Sequence, residues 1–175
     1  AYGETVKRSM KVLVALGEIY GADHMIEIKN VHSPGVSYRV AGNAGLGYVE
    51  DASKDATFRV PLTLNTIGID AQDWEKIGFP EEFARKQLEL SEAYERMGAI
   101  PTNSCTPYLN GNLPMFGEHV AWGESSAVAF VNSVIGARTN REGGPTALAA
   151  AITGRVPAYG YHLDENRKGT HLIRV

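Results

Sequence analysis

Two periodicities take turns along the chain. Val6, Met10, Leu13 and Tyr20 recur at helical spacing and Gly21 follows as a stop, which predicts an amphipathic helix over residues 3 to 20. The next stretch, MIEIK, alternates apolar and polar as a strand does. After the turn-like HSPG, a glycine-broken segment around Leu46 and Val49 reads as a short helix, and ATFRV leads into a second extended stretch, LTLN. Pro80 opens the clearest helix: Phe83, Leu90, Tyr94 and Met97 form one stripe, Glu81 and Glu82 sit where the helix dipole favours anions, and Gly98 closes it. AIPTNSC and HVAW read as strands. ESSAVAFVNSVI, residues 124 to 135, is apolar on nearly every side and predicts a helix buried in the middle of the fold. Pro145 starts another helix at TALAAAI, Gly154 ends it, and THLIRV reads as a last strand. Alternating strands and helices imply an α/β fold in three layers around a largely parallel sheet.

Composition sharpens this. At 175 residues, 43% hydrophobic and 21% charged, the chain fits one domain with a core of its own. The formal net charge of -3 is spread among interspersed acids and bases, which argues against nucleic acid as a partner. No apolar run approaches the roughly 20 residues of a membrane helix, and AYGETVKRSM has no signal-peptide core, so the expected place is the cytoplasm, off the membrane. A single cysteine excludes an internal disulfide framework. The helix that starts almost at residue 1 and a final strand without a following turn suggest a piece of a longer protein carrying part of an active site.

In such folds ligands sit where strands run out into loops, and the polar clusters fall at those places. Cys105, in SCTPY, ends a predicted strand beside Pro107; it reads either as a soft metal or cluster ligand or as a buried structural thiol, the commoner state of free cysteine. GESSA, residues 123 to 127, resembles a nucleophile elbow with Ala127 in place of the usual glycine, or else Glu124, Ser125 and Ser126 simply cap a helix. In TNREGGP, residues 139 to 145, Gly143 and Gly144 admit close backbone approach and the helix at Pro145 offers free N–H groups. Arg138 and Arg141 carry forks suited to carboxylate or phosphate; the competing account is dipole matching, with Glu142 as a salt-bridge partner. LDENR, residues 163 to 167, reads as a solvated or salt-bridged turn. His24, His32, His119, His162 and His171 show no ligand spacing for zinc, and no phosphate loop or dinucleotide fingerprint appears.

GESSAVAFVNSVIGARTNREGGPTALAAAITG, with SCTPYL, VALGEIYGAD and YHLDENRK, resembles the aconitase X family of the aconitase superfamily, over essentially the whole chain. The resemblance implies an iron–sulfur hydro-lyase, with a cluster expected to be of the 4Fe–4S type, that dehydrates a small anionic hydroxy acid. The expected substrate is (R)-5-phosphomevalonate, giving trans-anhydromevalonate 5-phosphate, with cis-3-hydroxy-L-proline as the alternative. A serine hydrolase built on Ser125 and a non-catalytic binding domain are the readings from other classes. By the same resemblance Cys105 is a cluster ligand within the family's CTPY motif, and the base lies on a small swivelling domain or subunit of the same enzyme. Gly35, Ser37, Glu124, Ser125, Ser126, Arg138, Asn140, Arg141 and Glu142 are the expected substrate contacts. Pro34 departs from the family's loop, which leaves Ser33 without an assigned role. A cluster takes about three or four thiolates; one cysteine here places the other ligands elsewhere in the enzyme.

Overall fold

The structure, a computed structural model, describes residues 3–174. Its frame is a parallel sheet of three strands, β2 (Val31–Ser33) between β3 (Leu62–Leu64) and β4 (Ala121–Trp122). Val31 pairs with Leu62 on one side and with Ala121 on the other. Side chains alternate across this sheet as the pleat requires. Val31, Leu62, Leu64 and Ala121 join the larger core with α2 (Tyr38–Ala52), α4 (Glu81–Arg96) and α6 (Gly144–Thr153). His32, Thr63 and Trp122 face the other way, where Trp122 packs with Ala127 and Val131 of the segment that starts as α5 (Ser125–Phe130) and with Tyr108. Helix α1 (Glu4–Tyr20) lies outside α6, and β1 (Met25–Glu27) pairs antiparallel with β5 (Arg155–Pro157). A short helix, α3 (Trp74–Ile77), precedes α4.

The long helices form where their caps and stripes place them. Gly21 and Gly154 close α1 and α6 in the left-handed region, at φ 72° and 69°, where glycine meets no Cβ penalty. Pro80 stands just before α4, and Leu90, Tyr94 and Met97 are buried on its inner face. The expectations need correction in four places. MIEIK is a strand but pairs antiparallel with β5, apart from the parallel sheet. AIPTNSC makes one bridge, Ile100 to Thr63, and then leaves regular structure: the Thr102 N–H, next in line for the ladder, turns back to the Ile100 carbonyl at 2.8 Å, and Asn103 enters the left-handed region at φ 46°. THLIRV is not a strand: residues 170–174 are irregular and exposed, and Val175 lies outside the described residues.

The fourth correction concerns residues 124 to 135. The helix is half-exposed: Ala127 and Val131 are buried but Val134 is 68% exposed, and its last turn, Val131–Ile135, widens to a π-helix before Gly136. The buried helix is α6, enclosed from Ala147 to Thr153, whose small residues let it sit directly against the sheet and α1 at once. Asn132 is satisfied at that turn, donating to the carbonyls of Val128 and Thr139 and accepting from Arg167.

Leu62, on β3, is wholly buried against the larger core while Val134 is not. Leu62→Ala is therefore expected to cost about 2–5 kcal/mol, and Val134→Ala to stay within about 0.5 kcal/mol, both read from urea unfolding midpoints. Equal effects at the two positions would contradict this packing.

Candidate functional site at the strand ends

All three parallel strands end at the same edge. The chain leaves β2 toward α2 on the larger core and leaves β4 toward α5 on the opposite face, so a crevice opens between the two exits. Its floor is a tight contact: a Cβ on Gly123 would come within 2.5 Å of the Pro34 ring, so only glycine fits there. Above that contact lies a cavity of about 770 Å³. Gly35 and Ser37 line it from the loop after β2, Tyr48 and Tyr94 from α2 and α4, and Arg141, Glu142, Gly143 and Gly144 from the entry to α6.

The segment after β4 carries the next group. Glu124 accepts from the Ser126 N–H at 3.3 Å and from the Ser125 hydroxyl at 3.2 Å through Oε1. Its Oε2 accepts from Asn65 Nδ2 at 2.9 Å, a side chain at the end of β3. Burial would raise the Glu124 pKa, but these donors outweigh it and hold the carboxyl below its usual range. The neighbouring Thr66 hydroxyl lies 3.9 Å from the sulfur of Cys105. Cys105, Thr66, Asn65 and Glu124 thus form a continuous polar line across the strand ends. Ser125 is engaged by Glu124, and among the described residues no histidine contacts it, so the elbow lacks its base.

The structure divides the TNREGGP neighbourhood. Arg138 donates to the His162 carbonyl at 3.0 Å and pairs with Asp164, while Asn140, almost fully buried, donates to the Tyr159 carbonyl and accepts from the Tyr161 N–H. Both tie down the 159–164 turn, and neither lines the cavity. Arg141 is exposed at the cavity edge with no ion-pair partner among the described residues. Glu142 does not salt-bridge an arginine: its side chain is buried, its Oε1 has no partner among the described residues, and burial raises its pKa despite the Thr146 hydroxyl.

The aconitase X first domain matches residues 1–165. The chain belongs to the aconitase X family. It is 58% identical over 175 residues to the phosphomevalonate dehydratase large subunit of Methanothermobacter thermautotrophicus, covering 99% of this chain and 44% of that protein. To the cis-3-hydroxy-L-proline dehydratase of Pseudomonas aeruginosa it is 38% identical, covering 99% of this chain and 30% of that one. The crystal structure of Thermococcus kodakaraensis aconitase X in its holo form superposes with a TM-score of 0.88 at 52% identity, over 97% of this chain and 42% of that chain. This aconitase X chain therefore spans less than half the length of the relatives it matches.

Sequence spacing missed three features of the structure. Asn65 and Thr66 carried the signal of polar residues closing an apolar strand, but nothing linked them to Glu124 or Cys105. The buried set His32, Thr63 and Asn112 was also invisible: His32 Nδ1 bonds the Thr63 hydroxyl at 2.9 Å, and Asn112 Nδ2 donates to that hydroxyl at 2.8 Å. His119 and His162, 43 positions apart, meet Nδ1 to Nδ1 at 2.9 Å. Among the described residues no three His, Cys, Asp or Glu side chains gather as a metal site. No helix of the described residues is long and apolar enough to cross a membrane.

Burial pushes the His32 pKa down to about 4; burial, then His119, Arg138 and Arg167, push His162 down to about 3. An unfolded histidine titrates near 6.5. Below about pH 6.5 the unfolded chain takes up protons that the folded chain refuses, so stability falls as pH drops from 6.5 toward those lower values. The expected loss between pH 7 and 5 is roughly 2 kcal/mol for each such histidine. The hydrogen-bonded Glu124 acts in a lower window, where the stability from its depressed pKa is lost as pH falls below the ordinary carboxylate range. Urea midpoints at pH 7 and 5 check this, and a midpoint that rises on acidification would reverse the sign.

Proposed function

We propose that this chain supplies the cluster-facing and anion-facing wall of an aconitase X dehydratase that removes water from (R)-5-phosphomevalonate. The observation that carries the reading is the line Cys105, Thr66, Asn65 and Glu124, which ends beside a cavity edged by Arg141 and the start of α6. The substrate preference rests on relatives named phosphomevalonate dehydratase large subunit, which are 58%, 55% and 51% identical, against 38% for a cis-3-hydroxy-L-proline dehydratase.

Cys105 fits an iron–sulfur cluster as one ligand. It is a free, partly exposed thiol on a loop at the strand ends, with a hydroxyl as its neighbour. As the single cysteine of the sequence it leaves the other thiolates, like the small subunit or swivelling domain with the base, to parts of the enzyme outside these 175 residues. When bound, the cluster supplies a Lewis acid for the departing hydroxyl.

The residues of this chain bind and orient. Arg141 and the N–H of Gly144 present a fork and a helix terminus to a phosphate or carboxylate, the Gly143 N–H being taken by the Thr146 hydroxyl at 3.0 Å, and the fork has no competing carboxylate partner among the described residues. Gly35 lets the substrate approach the backbone and Ser37 offers a hydroxyl at the opposite wall. Glu124, held ionised by four donors on two segments, is fixed as an acceptor for a substrate hydroxyl.

The test is anaerobic iron and sulfide reconstitution of the full-length enzyme with its partner, followed by dehydration assays on 5-phosphomevalonate and cis-3-hydroxyproline side by side. Turnover of the phosphorylated acid is the expected result, and turnover of the proline alone would overturn the preference. Cys105→Ser should lose most of its bound iron while unfolding as the wild type does, because a serine oxygen is a poor soft-metal ligand; full iron content would remove Cys105 from the ligand set. Arg141→Lys keeps charge and loses the fork, so its Michaelis constant should rise roughly tenfold at unchanged stability. Arg138→Lys should do the reverse, lowering stability through the Asp164 and His162 contacts and leaving the Michaelis constant in place.

A further inference from the structure

Gln87 lies on the inner face of α4 among Ala84, Leu90 and Tyr94 and is fully buried. A carboxamide in such company is costly unless its polar atoms are matched. Here they are matched by three backbone groups from two different loops. Nε2 donates to the Val36 carbonyl at 2.9 Å, and Oε1 accepts the Tyr38 N–H at 2.9 Å and the Gly68 N–H at 3.1 Å. One acceptor and two donors permit a single orientation of the amide. Val36 also bridges Ile67 directly, so the loop after β2 and the loop after β3 are joined by this bridge and, on both sides of it, by the Gln87 side chain.

Those two loops carry the two halves of the site. Gly35, Val36 and Ser37 line the cavity, while Asn65 and Thr66 reach Glu124 and Cys105. Gly68 confirms how closely the parts fit, since a Cβ there would come within 2.9 Å of both Gln87 Oε1 and Ser37 Oγ. We propose that Gln87 is a positioning residue: by joining the backbones of Val36, Tyr38 and Gly68, it sets the distance between the cavity wall at Ser37 and the Asn65–Glu124 line. It touches no substrate itself. Its kinetic consequence rests on the dehydratase reading above, whereas its effect on the loops does not.

The experiment uses the full-length enzyme with its partner subunit and two variants. Gln87→Leu removes all three bonds. Gly68→Ala wedges the same junction while leaving every donor and acceptor in place, which guards against a variant that merely fails to fold. In each, amide exchange at Tyr38 and Gly68 should accelerate while α1 and α6 keep their protection. The Michaelis constant for the hydroxy acid should rise on the order of tenfold or more with a smaller change in kcat, as misplaced binding groups require. Unchanged exchange at the two amides would overturn the proposal, and so would faster exchange with an unchanged Michaelis constant. Loss of both kinetic parameters in proportion to the unfolded fraction would reduce Gln87 to a stability role. A wild-type enzyme that dehydrates neither acid would sink the dehydratase reading instead, and the exchange rates would still decide whether Gln87 joins the two loops.

Discussion

Strand β2 is only three residues long, yet it is hydrogen-bonded on both sides to strands running in its own direction. Parallel pairing forces every following loop to leave at the same edge, and the chain places Asn65, Glu124 and the cavity there. Because α2 and α5 depart to opposite faces, the exits of β2 and β4 must separate above the sheet. Gly123 against Pro34 keeps them in contact below. A cavity between loops thus acquires a floor made of backbone and ring atoms with little freedom to move. Binding groups mounted on such a floor need little reordering when a ligand arrives.

The edge also sorts its two carboxyl groups by surroundings. Glu124 meets N–H and O–H donors from its own helix start and from β3, so its ionised form is the favoured one. Glu142, eighteen positions later, is enclosed with little to stabilise a charge, and burial favours its protonated form. The two carboxyls near the cavity therefore present unlike faces to solvent protons, one an acceptor and the other drawn toward the neutral acid.

The helices were legible in the sequence because their signals are local: Gly21, Pro80 and Gly154 stand within a residue or two of the observed ends. Strands were less so, since MIEIK carries no mark of the partner it will choose and AIPTNSC leaves its ladder where the Thr102 N–H turns back to Ile100. The apolar run from 124 to 135 misled for a different reason: several of its apolar side chains stay at the surface. Arg141 and Glu142 stand at a helix start that Pro145 marks in the sequence, whereas Gly35 and Ser37 came with the family resemblance; all four line the cavity. Arg138 and Asn140 share the same motif but turn to the 159–164 segment, a contact that one-dimensional spacing does not contain. Asn65, Gln87 and the His119–His162 pair went unseen because each partner lies far along the chain.

The pairing of β1 with β5 has a consequence for how the molecule is made. Met25 faces Pro157, and α1 rests on α6, so the amphipathic face of the first helix finds its seat only after residue 157 has been synthesised. At about 5–20 residues per second that wait is on the order of ten seconds. Throughout it, Leu13 and its neighbours must remain unburied or be shielded by something other than their final partner, while β2 and β3 can already pair. Helix α1 is made well before α6 and can dock only after it.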